Sequence, residues 1–221
     1  MKTKKIDYSL YLVTDRRWLG EKSLKDAVEE AIQGGATAVQ LREKYISSRE
    51  YLEIAKRVKD VTDRCGIPFI INDRIDIAFA CDADGVHLGS DDLSIPIAHA
   101  ILGREKIVGA SACTLAEALA LEAQGADYLG VGAVFPTGTK TDADQVALTE
   151  LAKIKANVRI PVVAIGGIGL GNIEAALKTG IDGVAVVSAI MAQRDIAGAA
   201  KTLANILKAL LLREIPVKER R

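Results

Sequence analysis

Eight short runs rich in Val, Ile and Leu recur along the chain, "LYLVTD", "AVQLRE", "PFIIND", "GVHLG", "IVGASA", "YLGVGA", "PVVAIGG" and "GVAVVSA", with longer amphipathic stretches between them. Runs that are apolar on both faces suit parallel strands covered by helices. The stretches at Ser23 to Gln33, Ser47 to Arg64, Thr114 to Gln124, Leu148 to Ala156 and Gly171 to Thr179 carry the three- and four-residue apolar spacing of helices. Right-handed crossovers then leave a closed barrel or an open doubly wound sheet. Eight repeats favour the barrel, so the expected fold is α/β, a single (β/α)8 TIM barrel with eight parallel strands. Residues 1–221 are expected to form this one domain with short loops, and the charged C-terminal "REIPVKERR" to fray into solvent.

The turns between helix and strand read "GGA", "CGIP", "QGAD" and "TGID", which assigns Gly34, Gly66, Gly125 and Gly180 to left-handed helix ends. A hydrophobic share of 49% supports a sizeable core. Lys plus Arg (29) balance Asp plus Glu (29), so no basic excess recommends a nucleic-acid or membrane partner, and any anion site has to be local. Cys65, Cys81 and Cys113 are odd in number and lack CxxC spacing, which suggests neither a disulfide framework nor structural zinc and fits a reducing cytoplasm, with the cysteines in the core. No apolar leader or membrane span is evident, so a soluble, unprocessed chain is expected.

Function in such barrels lies where strands end at their C-terminal edge. The second strand ends in "QLREK", where Gln40, Arg42 and Lys44 alternate to one side and Leu41 and Glu43 to the other. Two cations on one face call for an anion; the alternative is pairing with carboxylates outside the barrel. Asn72 and Asp73 end the third strand, and Asp91 and Asp92 follow the fourth. Two carboxylates about 4 Å apart repel by roughly 4 kcal/mol at an effective dielectric near 20, so a converging pair attracts a cation or a proton. Magnesium suits an oxygen-only set beside Arg and Lys, while helix capping by Asp73 and Asp92 is the competing reading.

"IGGI" and "VVSAI" fit a phosphate cradle after the last two strands, with Gly166, Gly167 and Ser188 contributing; a plain tight turn is the alternative. Lys140, in "VFPTGTKTDADQ", adds one cation among hydroxyls at another strand end. His87 reads as a satisfied interior histidine rather than a base, and His99 as peripheral, so Ser-His or Cys-His machinery is poorly supported. Two anion centres and one metal at a barrel mouth point to phosphorylated substrates whose leaving group departs with electrostatic assistance.

Taken in order, "YLVTD", "QLREK", "IIND", "VHLGSDDL", "FPTGTKTDA", "PVVAIGGI" and "GVAVVSAI" resemble the thiamine phosphate synthase family over nearly the whole chain. The resemblance implies that the chain joins 4-amino-5-hydroxymethyl-2-methylpyrimidine diphosphate to hydroxyethylthiazole phosphate, with magnesium as cofactor and loss of diphosphate before the thiazole nitrogen captures a pyrimidine carbocation. Carried over by motif, the segment Gln40, Leu41, Arg42, Glu43 and Lys44 holds the pyrimidine diphosphate with Asn72 and Lys140, and Ser111 touches the pyrimidine. Arg42, Ser111 and Lys140 are the implied catalytic residues, while Asp73 and Asp92 hold magnesium more securely than Asp91 does. Thr137, Gly138, Thr139, Gly167, Val187 and Ser188 meet the thiazole phosphate. The expected partners are these small phosphorylated molecules, with no nucleic acid, no membrane and the option of a homo-oligomer. One departure is Cys113, in "GASAC", where many relatives carry His. Thiazole tautomerases share the barrel and use a histidine there, so its absence weighs against a tautomerase; a non-catalytic thiazole or thiamine phosphate sensor is the other alternative.

Overall fold

The computed structural model describes residues 6–138 and 145–211. Eight parallel strands, β1 (Leu10–Val13), β2 (Ala38–Leu41), β3 (Phe69–Asn72), β4 (Gly85–Leu88), β5 (Ile107–Ala112), β6 (Tyr128–Val131), β7 (Val162–Ile165) and β8 (Gly183–Val186), hydrogen-bond in sequence order and close into a barrel. The register Leu12↔Val186 seals the ring between β1 and β8. Each strand lies within one of the eight apolar runs, and the open-sheet alternative is excluded.

Helices α1 (Leu24–Gln33), α2 (Ser48–Cys65), α3 (Ile75–Ala80), α4 (Ile95–Leu102), α5 (Leu115–Ala123), α6 (Leu148–Asn157), α7 (Ile173–Leu177), α8 (Ser188–Met191) and α9 (Ile196–Leu211) complete the described elements. Their starts follow local chemistry. Ser23 and Ser47 accept from the Asp26 and Glu50 backbone N–H groups, and Thr114 with Glu117 forms a reciprocal capping box. Among the described residues no helix is long and apolar enough to cross a membrane.

The pleat divides the apolar residues into two cores. Leu10, Leu12, Phe69, Ile71 and Leu129 point outward to the helices, whereas Tyr11, Val13, Ile70, Tyr128, Val163 and Ala185 fill the barrel interior. Close approaches are cut by glycine. A Cβ on Gly34 would stand 2.6 Å from the Ala200 Cβ and overlap the Ala197 carbonyl oxygen, so α1 and α9 meet there.

Four expectations need correction. Gly34 is not left-handed but has φ −75° as the cap residue of α1; Gly35, the next residue, takes the left-handed role with φ +111°, and Gly34 is glycine where α9 approaches closely. His99 is buried on α4 and its Nε2 meets the Gly125 carbonyl at 3.1 Å. Cys65 is exposed at the end of α2 rather than in the core. Neither Asp73 nor Asp92 caps a helix, since the cap positions of α3 and α4 fall to Arg74 and Ser94. The "REIPVKERR" tail lies outside the described residues.

Candidate active site

Strand ends β2 to β8 open onto one cavity of about 650 Å³, within the range of small-ligand sites. On the β2–β4 side, Gln40, Arg42, Lys44, Asn72 and Asp73 line it. On the β6–β8 side, Thr137, Gly166, Gly167, Val187 and Ser188 do so, and Ser111 of β5 stands between the two groups. The alternation foreseen in "QLREK" thus faces the mouth with its cations. Leu41 is fully buried in the outer core, and Glu43 turns away to accept a hydrogen bond from Arg16 Nε at 2.9 Å, so neither lines the cavity. Burial raises the Glu43 pKa despite that partner.

Lys44 and Asp73 form an ion pair at the mouth. Asp73 reaches this position through a left-handed backbone, φ +63°, which Asp tolerates better than most residues, and its N–H donates to the His87 carbonyl at 2.8 Å. Asp92 lines a smaller adjoining cavity and accepts from the Gly89 N–H at 2.7 Å. Burial raises its pKa above the usual carboxylate value, and the negative charge of Asp73 adds to the rise. Two carboxylates from neighbouring strand ends therefore face each other, with Lys44 as the nearby cation. Among the described residues no cluster of three or more His, Cys, Asp or Glu forms a metal cage. A two-carboxylate, oxygen-only set fits a magnesium ion that takes its remaining ligands from phosphate and water. Asp91 is exposed and accepts a hydrogen bond from Ser90 Oγ at 3.4 Å.

Across the cavity, Gly166 and Gly167 have φ +99° and +62°. A Cβ on Gly167 would stand 2.8 Å from the Phe135 carbonyl oxygen, so only glycine lets the loop after β7 pack against the segment leading to Thr137. Asn172 ties this loop down, accepting from the Gly169 N–H and donating to the Gly167 carbonyl, both at 2.9 Å. Ser188 opens α8. Gly138 is exposed and is not among the cavity-lining residues. Thr139 and Lys140 lie outside the described residues.

Residues 10–190 match the model of the family described as TMP-TENI, thiamine monophosphate synthase. The chain belongs to this family. Curated thiamine-phosphate synthases from Clostridium novyi and Clostridium beijerinckii are each 53% identical to it, covering 91% of this chain and 99% and 96% of theirs. The structure of thiamine phosphate pyrophosphorylase from Pyrococcus furiosus superposes with a TM-score of 0.86 at 46% identity, over 93% of this chain and 98% of that one. The chain is accordingly an enzyme, a transferase of thiamine biosynthesis.

Within this family site, Cys113 lines the cavity and directs its thiol to the Gly132 carbonyl at 3.4 Å. Sequence reasoning overlooked the layer beneath the mouth. Tyr11 and Tyr128 look like plain members of apolar strands, yet both occupy inward positions and their hydroxyls meet at 2.9 Å. The usable signal was parity. An inward tyrosine in a buried parallel strand needs a partner for its hydroxyl, and the period-two pattern identifies which strand positions face one another.

Proposed function

We propose that this chain condenses 4-amino-5-hydroxymethyl-2-methylpyrimidine diphosphate with 4-methyl-5-(2-hydroxyethyl)thiazole phosphate, releasing thiamine phosphate and diphosphate. The observation that carries this reading is one cavity with a cation-and-carboxylate cluster from β2 to β4 on one side and a glycine-shaped cradle from β7 and β8 on the other. Such a cavity has room for a diphosphate and a phosphate held apart, with the reacting rings between them.

In this reading Arg42, Lys44 and Asn72, joined by Lys140, take the charge that develops on the departing diphosphate. Asp73 and Asp92 would hold magnesium, which when bound supplies positive charge to the diphosphate oxygens. Gln40 and Ser111 orient the pyrimidine ring from which the diphosphate leaves. Thr137, Gly138 and Thr139, with the Gly167 backbone, Val187 and Ser188, seat the thiazole phosphate and present the thiazole nitrogen to the methylene carbon where positive charge appears. Ionisation asks for clamped anionic charge rather than a strong base, which agrees with a site rich in cations, amides and hydroxyls. A small-molecule enzyme of this kind is expected to work in the cytoplasm.

Incubation of the purified protein with both substrates and magnesium should form thiamine phosphate and release diphosphate. Absence of product under metal-replete conditions would sink the proposal, and ligand-dependent thermal stabilisation without turnover would point to a sensor instead.

A further inference from the structure

The segment that carries two cations of the mouth runs past the end of its strand. β2 stops at Leu41, and beyond it Arg42 and Lys44 line the cavity while Glu43 between them does not. The neighbouring strand supplies contacts to this segment, from "VTDRR" at the end of β1. Thr14 is fully buried; its N–H donates to the Gln40 carbonyl at 2.9 Å and its Oγ1 accepts from the Arg42 N–H at 3.1 Å. Asp15 caps the 3₁₀ turn Arg16–Trp18 and takes the Arg17 guanidinium at 2.6 Å. Arg16 is the arginine that crosses to the other loop. Its Nε donates to Glu43 Oε2 at 2.9 Å, its Nη2 lies 2.9 Å from the same oxygen, and Nη2 also reaches Glu50 Oε1 at 3.3 Å, at the start of α2.

Glu43 depends on that contact more than its partners do. Its side chain is 5% exposed, whereas Arg16 keeps 38% and Glu50 50% of theirs in solvent. Among the described residues its other oxygen, Oε1, is buried and has no hydrogen-bond partner. A buried carboxylate that loses its cation becomes an uncompensated charge, which is strongly unfavourable away from water. Moving it to water has a consequence here. Successive side chains of an extended segment face opposite sides, so a backbone rotation that carries Glu43 outward also swings Arg42 and Lys44 off the cavity.

We propose that Arg16 is a positioning residue for the anion subsite: by pairing with Glu43 behind the segment, it holds Arg42 and Lys44 towards the cavity. Arg16 is not itself among the cavity-lining residues, so it acts through the segment and not on the ligand. The identity of that ligand as a diphosphate rests on the proposed function; the pairing does not. The turn that carries Arg16 also packs against α8, which opens with Ser188 on the opposite side of the cavity. Collapse of the whole turn would therefore be felt at both anion sites, whereas loss of the Arg16–Glu43 contact acts on one.

Titration calorimetry with inorganic diphosphate and magnesium reads this subsite without turnover. Arg16→Met, which keeps an apolar stem and removes the charge, should raise the dissociation constant on the order of tenfold, the scale of one charge-assisted hydrogen bond. KM for the pyrimidine diphosphate should rise in parallel, and KM for the thiazole phosphate should stay unchanged. Glu43→Gln leaves no charge to expel, so it should weaken binding less than Arg16→Met does, and Arg16→Met/Glu43→Gln should bind more tightly than Arg16→Met alone. Unchanged affinity in Arg16→Met, no recovery in the double variant, or an equal loss of thiazole phosphate binding would overturn the proposal. So would a Glu43→Gln protein that binds diphosphate as much more tightly as Arg16→Met binds it weakly, the pattern of two charges acting only through their field. Wild-type protein that binds diphosphate in an Arg16-dependent way but forms no thiamine phosphate would remove the proposed function and leave the positioning role standing; wild-type protein that binds no diphosphate would remove both.

Discussion

The carved interior offers a sharp test in Gly109→Ala. A Cβ at position 109 would overlap Cε1 and Cζ of Tyr128 and stand 2.6 Å from its hydroxyl oxygen. Tyr128 cannot easily retreat. It is fully buried, with the Tyr8 ring centroid at 4.6 Å and that of Tyr11 at 5.9 Å, and its hydroxyl is tied to two partners. Overpacking of a tight core costs about 1–3 kcal/mol, and the immobile ring puts this case at the upper end, about 3 kcal/mol. With an unfolding entropy of about 2.1 cal/mol/K per residue, 221 residues give about 0.46 kcal/mol/K. The melting temperature should therefore fall by about 6–7 °C in a calorimetric or circular-dichroism melt. Gly130→Ala, whose Cβ would stand 3.0 Å and 3.4 Å from His87 ring atoms, should fall in between, and Gly171→Ala, with open space at its Cβ, should melt with the wild type or slightly above it. If Gly109→Ala also melted with the wild type, the claim that these glycines make room for the Tyr128 and His87 rings would fail.

Other outcomes follow from the proposed roles and from the described residues. Arg42→Ala and Lys140→Ala should each lower kcat on the order of a hundredfold through weaker diphosphate expulsion while leaving KM for the thiazole phosphate near its original value; comparable turnover would contradict their roles. Asp92→Asn should raise the magnesium concentration needed for half-maximal rate, whereas an unchanged metal titration would confine Asp92 to bracing the Gly89 backbone. Asp15 gives a pH signature. Burial alone would push its carboxyl up, but hydrogen bonds from the Arg17 side chain and backbone, with the guanidinium charge, hold it below the ordinary value. A depressed folded-state pKa contributes stability above the unfolded value, and that stability is lost as pH falls through the folded one. The melting difference between Asp15→Asn and wild type should thus be largest near neutrality and shrink below about pH 4; a difference that grows in acid would reverse the sign of the argument.

The barrel was legible because its signal is repeated and local. Each apolar run shows a buried strand by itself, and the caps Ser23, Ser47 and Thr114 announce helices within four residues of their partners. The mouth was legible through alternation, which sent Gln40, Arg42 and Lys44 into the cavity. What failed depended on contacts between segments distant in sequence. Gly34 does end α1, yet what calls for glycine there is the close approach of α9, more than 160 residues away, rather than a left-handed backbone. Asp73 looks like a cap for "RIDIAFA", yet its left-handed backbone turns the carboxylate towards Lys44 of another strand end. The buried tyrosines are the extreme case: Tyr11 and Tyr128 lie 117 residues apart in the chain, so only the closed ring of strands brings their hydroxyls together.

The ion pair at the mouth connects these layers to turnover. Lys44 and Asp73 are ion-paired, so each of these charges at the cavity edge has a partner. On the proposed function, an incoming diphosphate with its metal offers each a replacement, phosphate oxygen for Lys44 and cation for Asp73, and the exchange conserves charge. Free diphosphate without metal compensates only Lys44 and leaves Asp73 facing Asp92, whose carboxyl already resists ionisation. Free metal compensates the carboxylates and leaves Lys44 beside a new positive charge. Binding of the two should therefore be mutually reinforcing, and Lys44→Met should weaken that reinforcement by removing the charge that each must displace. Titration calorimetry of diphosphate with and without magnesium measures this coupling directly, and equal coupling in wild type and Lys44→Met would show that the pair plays no part in it.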